Sequence, residues 1–204
     1  MLFNDPIIQQ IIDSITIPKL QPKGTPFEAM CRNIIYQQLS NKTADSIYQQ
    51  FQQRVGTPYT ATTISELSQP DCKNCGLSAQ KYQYLQNVAQ HYRENTFFWE
   101  NIQQYNSNDI TKELCRITGV GPWTVQMLLI FHLEYPDVVP LNDLVIKKQI
   151  TSLYKLQSTG KTLLSEMQAI AQNWSPNGSL ATRALWIWND QLNQRDSLSN
   201  ATKD

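Results

Sequence analysis

Charge is scarce in this sequence, and neither sign prevails. Only 17% of the 204 residues are charged, and 17 Lys and Arg balance 17 Asp and Glu, so the net charge is zero. The chain therefore lacks the broad positive field that attracts nucleic acids over long distances. Scattered Gln and Asn take the place of the missing charges, and an apolar fraction of 41% is enough to form a core.

Cysteine and long apolar runs are also scarce. Four Cys cannot form a disulfide scaffold. Cys72 and Cys75 have the spacing of half a zinc site, but a second pair is missing and His91 and His132 lack ligand spacing. Because a structural zinc needs four ligands, we expect free thiols and no metal.

The run 127–131 is too short to span a bilayer and no signal peptide is recognisable, so the expected location is the cytoplasm, on the nucleoid in a bacterium.

Apolar residues recur at helical spacing along most of the chain, and alternating runs between hairpin turns do not occur. The predicted fold class is all-α, with about ten to twelve helices by this periodicity. The predicted helices cover 6–16, 26–39, 41–54, 62–67, 71–76, 78–93, 108–117, 122–133, 142–156, 161–173 and 179–192, followed by a frayed tail.

The segment 114–125, LCRITGVGPWTV, predicts a tight helical hairpin. One helix ends at Ile117, the next begins at Pro122, and the connection contains Gly119 and Gly121. Glycines leave backbone amides uncovered, and with the positive end of the second helix they can bind a phosphate without recognising sequence. Taken alone, the pattern favours a plain turn between helices.

Asp143 follows Val125 by eighteen residues, within VPLNDLVIK at 139–147. A residue just before a helix is a natural N-cap, which is one interpretation of this aspartate. The other interpretation is that the turn holds its carboxylate at the mouth of a groove beside the hairpin.

Two further motifs accompany the hairpin and the aspartate: FEAMCRNIIYQQLSNKTA at 27–44 and CGLSAQKYQYL at 75–85. Together they resemble the helix-hairpin-helix DNA glycosylases, above all the branch of the 3-methyladenine DNA glycosylase II type. The resemblance implies a bilobal helical fold with a DNA-binding cleft between the lobes. Residues 26–133 would form the lobe that ends in the hairpin, and residues 1–25 with 134–204 the lobe that carries the aspartate.

The resemblance also implies a reaction, excision of alkylated purines of the 3-methyladenine and 7-methylguanine type in base excision repair. The damaged nucleotide is flipped out of double-stranded DNA, and Asp143 falls on the catalytic aspartate. Its carboxylate would stabilise positive charge on the deoxyribose and activate water. Trp123 stands where bifunctional members carry a lysine, so we expect no strand cleavage. Since no Cys follows Cys115, we expect no iron-sulfur cluster.

The base pocket is assigned by the same resemblance. Electron-rich aromatic faces attract cationic alkylated bases. Core packing is the alternative for each aromatic residue. Trp188 is the alternative to Trp186 as the tryptophan of the pocket. Met127 occupies a position that is aromatic in some relatives, which leaves the base preference open. The expected pocket residues are Trp123, Trp186, Tyr36 and Met127.

The DNA contacts follow from the hairpin and from the loop near residue 38. Gln38, or less favourably Leu39, is expected to fill the gap left by the flipped base, with an exposed amide and a core leucine as the alternatives. Ser40 either touches the minor groove or caps a helix, and Lys81 either contacts a phosphate or is a solvated charge. The complete set of expected DNA-binding residues is Gln38, Leu39, Ser40, Thr118, Gly119, Val120, Gly121, Thr124 and Lys81.

Several expectations and alternatives remain at this point. Gly178 stands where some relatives carry Arg, and we expect a stabilising contact to be weakened there. No cofactor is expected, although the hairpin carbonyls could hold a cation, and the protein is expected to be a monomer that does not bind membranes. The alternative functions are a glycosylase for hypoxanthine or uracil, a non-catalytic DNA-binding module, and a helical protein-interaction scaffold.

Overall fold

The computed structural model describes residues 3–201, with side chains to residue 194, and this part of the chain contains helices and no strand. The predicted all-α class is confirmed. The elements are α1 (Pro6–Ser14), α2 (Pro26–Tyr36), α3 (Asn41–Val55), α4 (Ala61–Glu66), α5 (Gln69–Asn74), α6 (Ala79–Glu94), α7 (Thr96–Glu100), a 3-10 helix (Ile102–Gln104), α8 (Ser107–Leu114), α9 (Pro122–Phe131), α10 (Leu144–Leu153), α11 (Gly160–Gln172) and α12 (Gly178–Ala201). None of these helices is both long and apolar enough to cross a bilayer.

The chain divides into two compact units. Leu20–Glu134 form a continuous unit, and Met1–Lys19 with Tyr135–Asp204 form a discontinuous one. The sequence analysis placed the first boundary at residue 26, after the linker that contains Pro and Gly. The structure places the division within that linker, between Lys19 and Leu20.

The core of the continuous unit is formed around α2 and α9. The first of these helices packs against α3, α6 and α9. Nearly all of α9 is apolar, as is typical of a helix surrounded by other helices. A capping box between Thr25 and Glu28 fixes the start of α2, since each residue bonds the other's backbone amide.

Several details of the helix prediction are wrong, among them the ends of α8 at Leu114 rather than residue 117 and of α10 at Leu153 rather than residue 156. The second helix ends at Tyr36 rather than at residue 39, because Gln37 is extended and Gln38 is left-handed. Helix α7 and the 3-10 helix after it were not predicted. The five residues of α7, of which Trp99 is buried, are too few to show a helical repeat of apolar residues. The last helix continues to Ala201 instead of fraying after residue 192.

Asp5 fastens α1 into the discontinuous unit. Its Oδ1 atom accepts hydrogen bonds from the amides of Ile7 (3.0 Å) and Ile8 (3.4 Å), which caps the helix. Its Oδ2 atom accepts from Trp174 Nε1 (3.0 Å) and from the hydroxyl of Tyr154. Burial and this carboxylate raise the pKa of Tyr154 well above its usual range. A buried carboxylate is thus satisfied by both local and distant donors.

We predict that Asp5→Ala lowers the free energy of unfolding by about 2–4 kcal/mol, because a helix cap is lost and buried donors are left unpaired. Urea denaturation followed by tryptophan fluorescence measures the change. Asp13→Ala is the control, since that exposed carboxylate bonds only Gln9 among the contacts described for it. It should change stability by less than about 0.5 kcal/mol, and equal effects of the two substitutions would contradict the role given to Asp5.

Candidate functional site

A polar stripe on α12 holds the segment that leads to Asp143. Ser179 Oγ donates to the carbonyl of Tyr135 (2.5 Å) and accepts from the amide of Val138 (3.0 Å). Thr182 Oγ1 donates to the carbonyl of Val138 (3.2 Å). Residues spaced by three and four share one face of a helix, so these contacts lie in a row. The members of the stripe are Ser179, Thr182, Trp186 and Asn189.

Gly178 permits a close approach at the start of this helix. Its amide donates to Asp137 Oδ1 (3.0 Å), and a Cβ atom here would lie 2.6 Å from that oxygen and 2.8 Å from Val139 Cγ2. The sequence analysis expected this glycine to weaken a stabilising contact. The absence of a side chain lets the 137–139 segment lie directly against the helix, and the loss of a contact made by Arg in relatives stays a prediction.

The Asp143 carboxylate is held by three donors on one oxygen. Oδ1 accepts from the amides of Val145 (2.9 Å) and Ile146 (3.0 Å), so Asp143 is the N-cap of α10. It also accepts from Trp186 Nε1 at 3.2 Å. The N-cap interpretation is confirmed. It is compatible with a catalytic role, since the same bonds fix the orientation of a half-buried carboxylate.

Trp186 is therefore adjacent to the predicted catalytic residue. Both Trp186 and Trp188 pack against the apolar core of the discontinuous unit and are half-buried. Only Trp186 has a described hydrogen bond to Asp143. Stacking of either indole on a base stays a prediction.

The two hairpin glycines have different roles. Gly119 has a φ of +100°, and a Cβ atom there would lie 2.1 Å from the Tyr84 ring. Gly121 has an ordinary φ of −100°, and nothing would lie within 4 Å of its Cβ. The amide of Val120 donates to the carbonyl of Ile117 (2.9 Å), so this amide is used within the turn rather than offered to a phosphate.

Side-chain amides brace the hairpin, and sequence reasoning missed them. Gln37 Nε2 donates to the carbonyl of Gly119 (3.1 Å) and to Thr124 Oγ1 (2.8 Å). Asn33 Nδ2 donates to the carbonyl of Thr124 (3.4 Å), and Asn87 Nδ2 to that of Thr118 (2.9 Å). The available signal was the i, i+4 spacing of Asn33 and Gln37, which flank the apolar residues at the end of α2.

Two of the expected DNA-binding residues have buried side chains. The Thr124 hydroxyl accepts from Gln37, and contact of this residue with DNA stays a prediction. The Val120 side chain is also buried. Thr118 is exposed, and with Gly121 it leaves the outer side of the turn polar and open.

The loop after α2 exposes Gln38 and Leu39, the two residues expected to fill the gap left by the flipped base. Gln38 is exposed with a left-handed φ of 58°, a strained conformation for a residue other than glycine. Leu39 is 37% exposed, so the core alternative for it is wrong. Ser40 accepts from the amide of Thr43 and caps α3, which confirms the capping alternative.

Lys81 stabilises the same loop. Its ammonium group donates to the carbonyls of Ile35 (2.6 Å) and Gln37 (2.9 Å), which caps the C-terminal end of α2. Burial lowers the pKa of Lys81. It is therefore not a solvated charge, and its contact with a phosphate stays a prediction.

A cavity of about 530 Å³ lies within the continuous unit, between α2, α3 and the end of α9. It brings together Tyr36 and Met127, two of the four expected pocket residues. Arg32 and Asp45 line it as well, and Tyr36 bonds both of them. Trp123, at the start of α9, is half-buried and is not among the lining residues.

The cysteines are free thiols, as expected. Burial raises the pKa of Cys72 to about 11, so this thiol is protonated at neutral pH. Among the side chains of residues 3–194, no three His, Cys, Asp or Glu are grouped so as to hold a metal ion.

Comparisons with known proteins agree on one family. A family model described as HhH-GPD superfamily base excision DNA repair protein matches residues 31–176. DNA-3-methyladenine glycosylase 1 of Schizosaccharomyces pombe is 31% identical over 137 residues, which cover 66% of this chain and 60% of that protein.

Two solved structures are similar over most of the chain. One is the Schizosaccharomyces pombe 3-methyladenine DNA glycosylase Mag1 in complex with abasic DNA, with a TM-score of 0.77, 26% identity and coverage of 90% of this chain and 91% of that one. The other is DNA-3-methyladenine glycosidase from Bacillus halodurans, with a TM-score of 0.74, 27% identity and coverage of 89% and 83%.

We predict that the two glycine substitutions in the hairpin differ in their cost. Gly119→Ala should lower the free energy of unfolding by about 1–3 kcal/mol, because its methyl group meets the Tyr84 ring and its φ is left-handed. Gly121→Ala should stay within about 0.5 kcal/mol, since the methyl group enters open space. Thermal denaturation of both variants measures the difference, and a larger loss for Gly121→Ala would refute this account of the hairpin.

Proposed function

The chain belongs to the HhH-GPD superfamily of base excision DNA repair proteins, and from this we propose that it is a monofunctional DNA glycosylase for alkylated purines. Its substrates are duplex DNAs that contain bases of the 3-methyladenine and 7-methylguanine type. The observation that carries the proposal is the carboxylate of Asp143, fixed by three donors and contained in the matched segment together with the hairpin.

The chemistry needs one well-placed anion. As the bond between C1′ and the base nitrogen breaks, positive charge develops on the deoxyribose. The carboxylate of Asp143 stabilises that charge and orients a water molecule. The water oxygen bonds to C1′, its proton passes to the carboxylate, and the base leaves with the electron pair of the broken bond. The Trp186 bond restrains the carboxylate, so little reorganisation is needed.

The product is an abasic site in an intact strand. A bifunctional enzyme needs an amine that forms a Schiff base with the sugar. The position that carries this lysine in bifunctional members is Trp123, and α9 contains no lysine. An indole nitrogen cannot replace the amine, so the reaction ends after hydrolysis.

DNA is held by local groups. The first amides of α9 point out of the helix start and have no acceptor within the helix, which suits a backbone phosphate. The open side of Gly121 gives access to them. Because backbone amides rather than cationic side chains hold the phosphate in this mode of binding, few counterions are released, and the affinity should depend only weakly on salt.

Asp143→Asn tests the catalytic role. Asparagine caps helices as well as aspartate does, so the fold and the DNA affinity should be retained. Release of 3-methyladenine and 7-methylguanine from methylated duplex DNA should fall at least about 100-fold, because the stabilising charge is lost. Chromatography of the freed bases measures activity, and fluorescence anisotropy with an abasic-site duplex measures binding. The proposal fails if the wild type releases no damaged base, and Asp143 is not catalytic if the variant remains active.

Trp186→Phe separates two roles of this indole. Phenylalanine keeps an aromatic face but cannot donate to Asp143 Oδ1. If the N–H group positions the carboxylate, the single-turnover rate should fall about 10-fold, as expected for one misdirected catalytic contact, while affinity for the abasic duplex is unchanged. Trp188→Phe is the matched control, with an expected change below about two-fold. Full activity of Trp186→Phe would show that the N–H group does not position the carboxylate and would leave core packing and stacking as the roles of Trp186.

A further inference from the structure

We propose that the exposed face of α10, formed by Leu144, Lys147 and Lys148, binds the sugar-phosphate backbone of the damaged DNA strand beside the nucleotide held at Asp143. This rests on the proposed function, because the position of the strand follows from the position of the reacting sugar. The face belongs to the discontinuous unit. It adds cationic side chains to the backbone amides with which the hairpin holds DNA.

Positive charge is concentrated directly after Asp143. The segment from residue 144 to residue 165 contains four lysines and no Asp or Glu, although the whole chain has zero net charge. All four lysines are exposed. A local excess of positive charge in a neutral protein is typical of a surface that binds an anionic partner. The four residues are Lys147, Lys148, Lys155 and Lys161.

Two of these lysines lie on the same side of α10 as Leu144. Residues three and four apart share one side of a helix, which places Lys147 and Lys148 next to that leucine. The opposite side of α10 packs into the core of the discontinuous unit. The packing of the helix therefore fixes the direction of its exposed face. The buried residues on the opposite side are Ile146, Gln149 and Ile150.

The ammonium groups of this face are not engaged by carboxylates. The ion pairs among the side chains of residues 3–194 all lie in the continuous unit, and none includes Lys147 or Lys148. Oδ1 of Asp143 accepts from two backbone amides and an indole rather than from Lys147, one turn later. Each lysine can therefore pair with a phosphate without first breaking an internal ion pair.

Leu144 is 84% exposed, more than the other large apolar residues that the structure describes. It directly follows Asp143, so the Cα atoms of the two residues are about 3.8 Å apart. When C1′ of a nucleotide reaches the carboxylate, the carbons of the deoxyribose lie beside this side chain. Burial of the leucine against the sugar strengthens binding through the hydrophobic effect.

The reaction brings phosphates to the lysines. The amide of Lys147 donates to the carbonyl of Asp143 (2.9 Å), so this lysine begins one helical turn, about 5.4 Å, from the residue that meets the sugar. The phosphates that flank this sugar are within reach of the long lysine side chains. An apolar contact followed by two cations matches the sequence of sugar and phosphate along a strand.

Lys147→Gln, Lys148→Gln and the double variant test this surface. The substitutions alter exposed positions, so the fold should be retained, which thermal denaturation checks. Fluorescence anisotropy with a duplex that contains an abasic-site analogue gives the affinity over a series of KCl concentrations. Each substitution should reduce the slope of log affinity against log salt by about 1, and the double variant by about 2. A double variant with the slope of the wild type would overturn the inference.

Lys161→Gln is the matched control. It removes the same charge from an exposed position of the same acid-free segment, at the start of α11. The ten residues of α10, about 15 Å along its axis, separate Asp143 from the connection to that helix. The slope for this variant should equal that of the wild type. A reduction as large as that for Lys148→Gln would show that net charge rather than the face of α10 sets the affinity, which also overturns the inference.

Leu144→Ala tests the apolar part of the face. The affinity for the same duplex should fall about 10-fold at every salt concentration, because contact area is lost. The slope should be unchanged, since an apolar contact releases no counterions. Wild-type affinity of this variant would refute the contact between Leu144 and the sugar.

Release of damaged bases from methylated duplex DNA separates the inference from the proposed function. If the wild type releases bases but the double lysine variant keeps its slope, the glycosylase assignment stands and the DNA-binding role of α10 is refuted. If the wild type releases no base but the double variant loses about 2 from the slope, the glycosylase assignment fails and the DNA-binding face stands.

Discussion

The hydrogen bonds between the polar stripe of α12 and the segment before α10 are the constraint on which the candidate active site depends. Ser179 and Thr182 hold the backbone near Val138, and Trp186 bonds the carboxylate of Asp143. Farther along the stripe, Asn189 accepts from the buried Gln149 of α10 (2.9 Å). One rigid helix thus sets the position of an entire connection. A loop with so many fixed points presents its carboxylate without a large entropic cost.

The continuous unit holds its hairpin with neutral side-chain amides rather than with ion pairs. Gln37, Asn33 and Asn87 hold the hairpin through its carbonyls and Thr124, and Lys81 closes the end of α2. Amide side chains satisfy buried carbonyls without the desolvation penalty of a charge. This explains why a sequence with so few ionised residues can still form a precise polar framework.

Local patterns were sufficient to predict the all-α class, most helix starts and the hairpin. Caps such as Ser40 and Asp143 could be identified because their effect is confined to one helical turn. The contacts that join distant segments could not be predicted, since Gln37 meets Gly119 only after both helices have packed. For the same reason the sequence could not show that the Thr124 side chain is buried and bonded to Gln37. Sequence alone could not show that Tyr36 and Met127 share a cavity with a guanidinium group.

The attachment of α1 has a consequence for how the protein is made. Asp5 finds its partners Tyr154 and Trp174 at sequence separations of 149 and 169 residues, whereas the continuous unit closes within Leu20–Glu134. During synthesis on a ribosome, the continuous unit can fold before Tyr154 and Trp174, the partners of Asp5, have been synthesised. The carboxylate of Asp143 acquires its bond to Trp186 only after α12 has been synthesised. A nascent chain can therefore form the hairpin long before the Asp143 side chain is fixed.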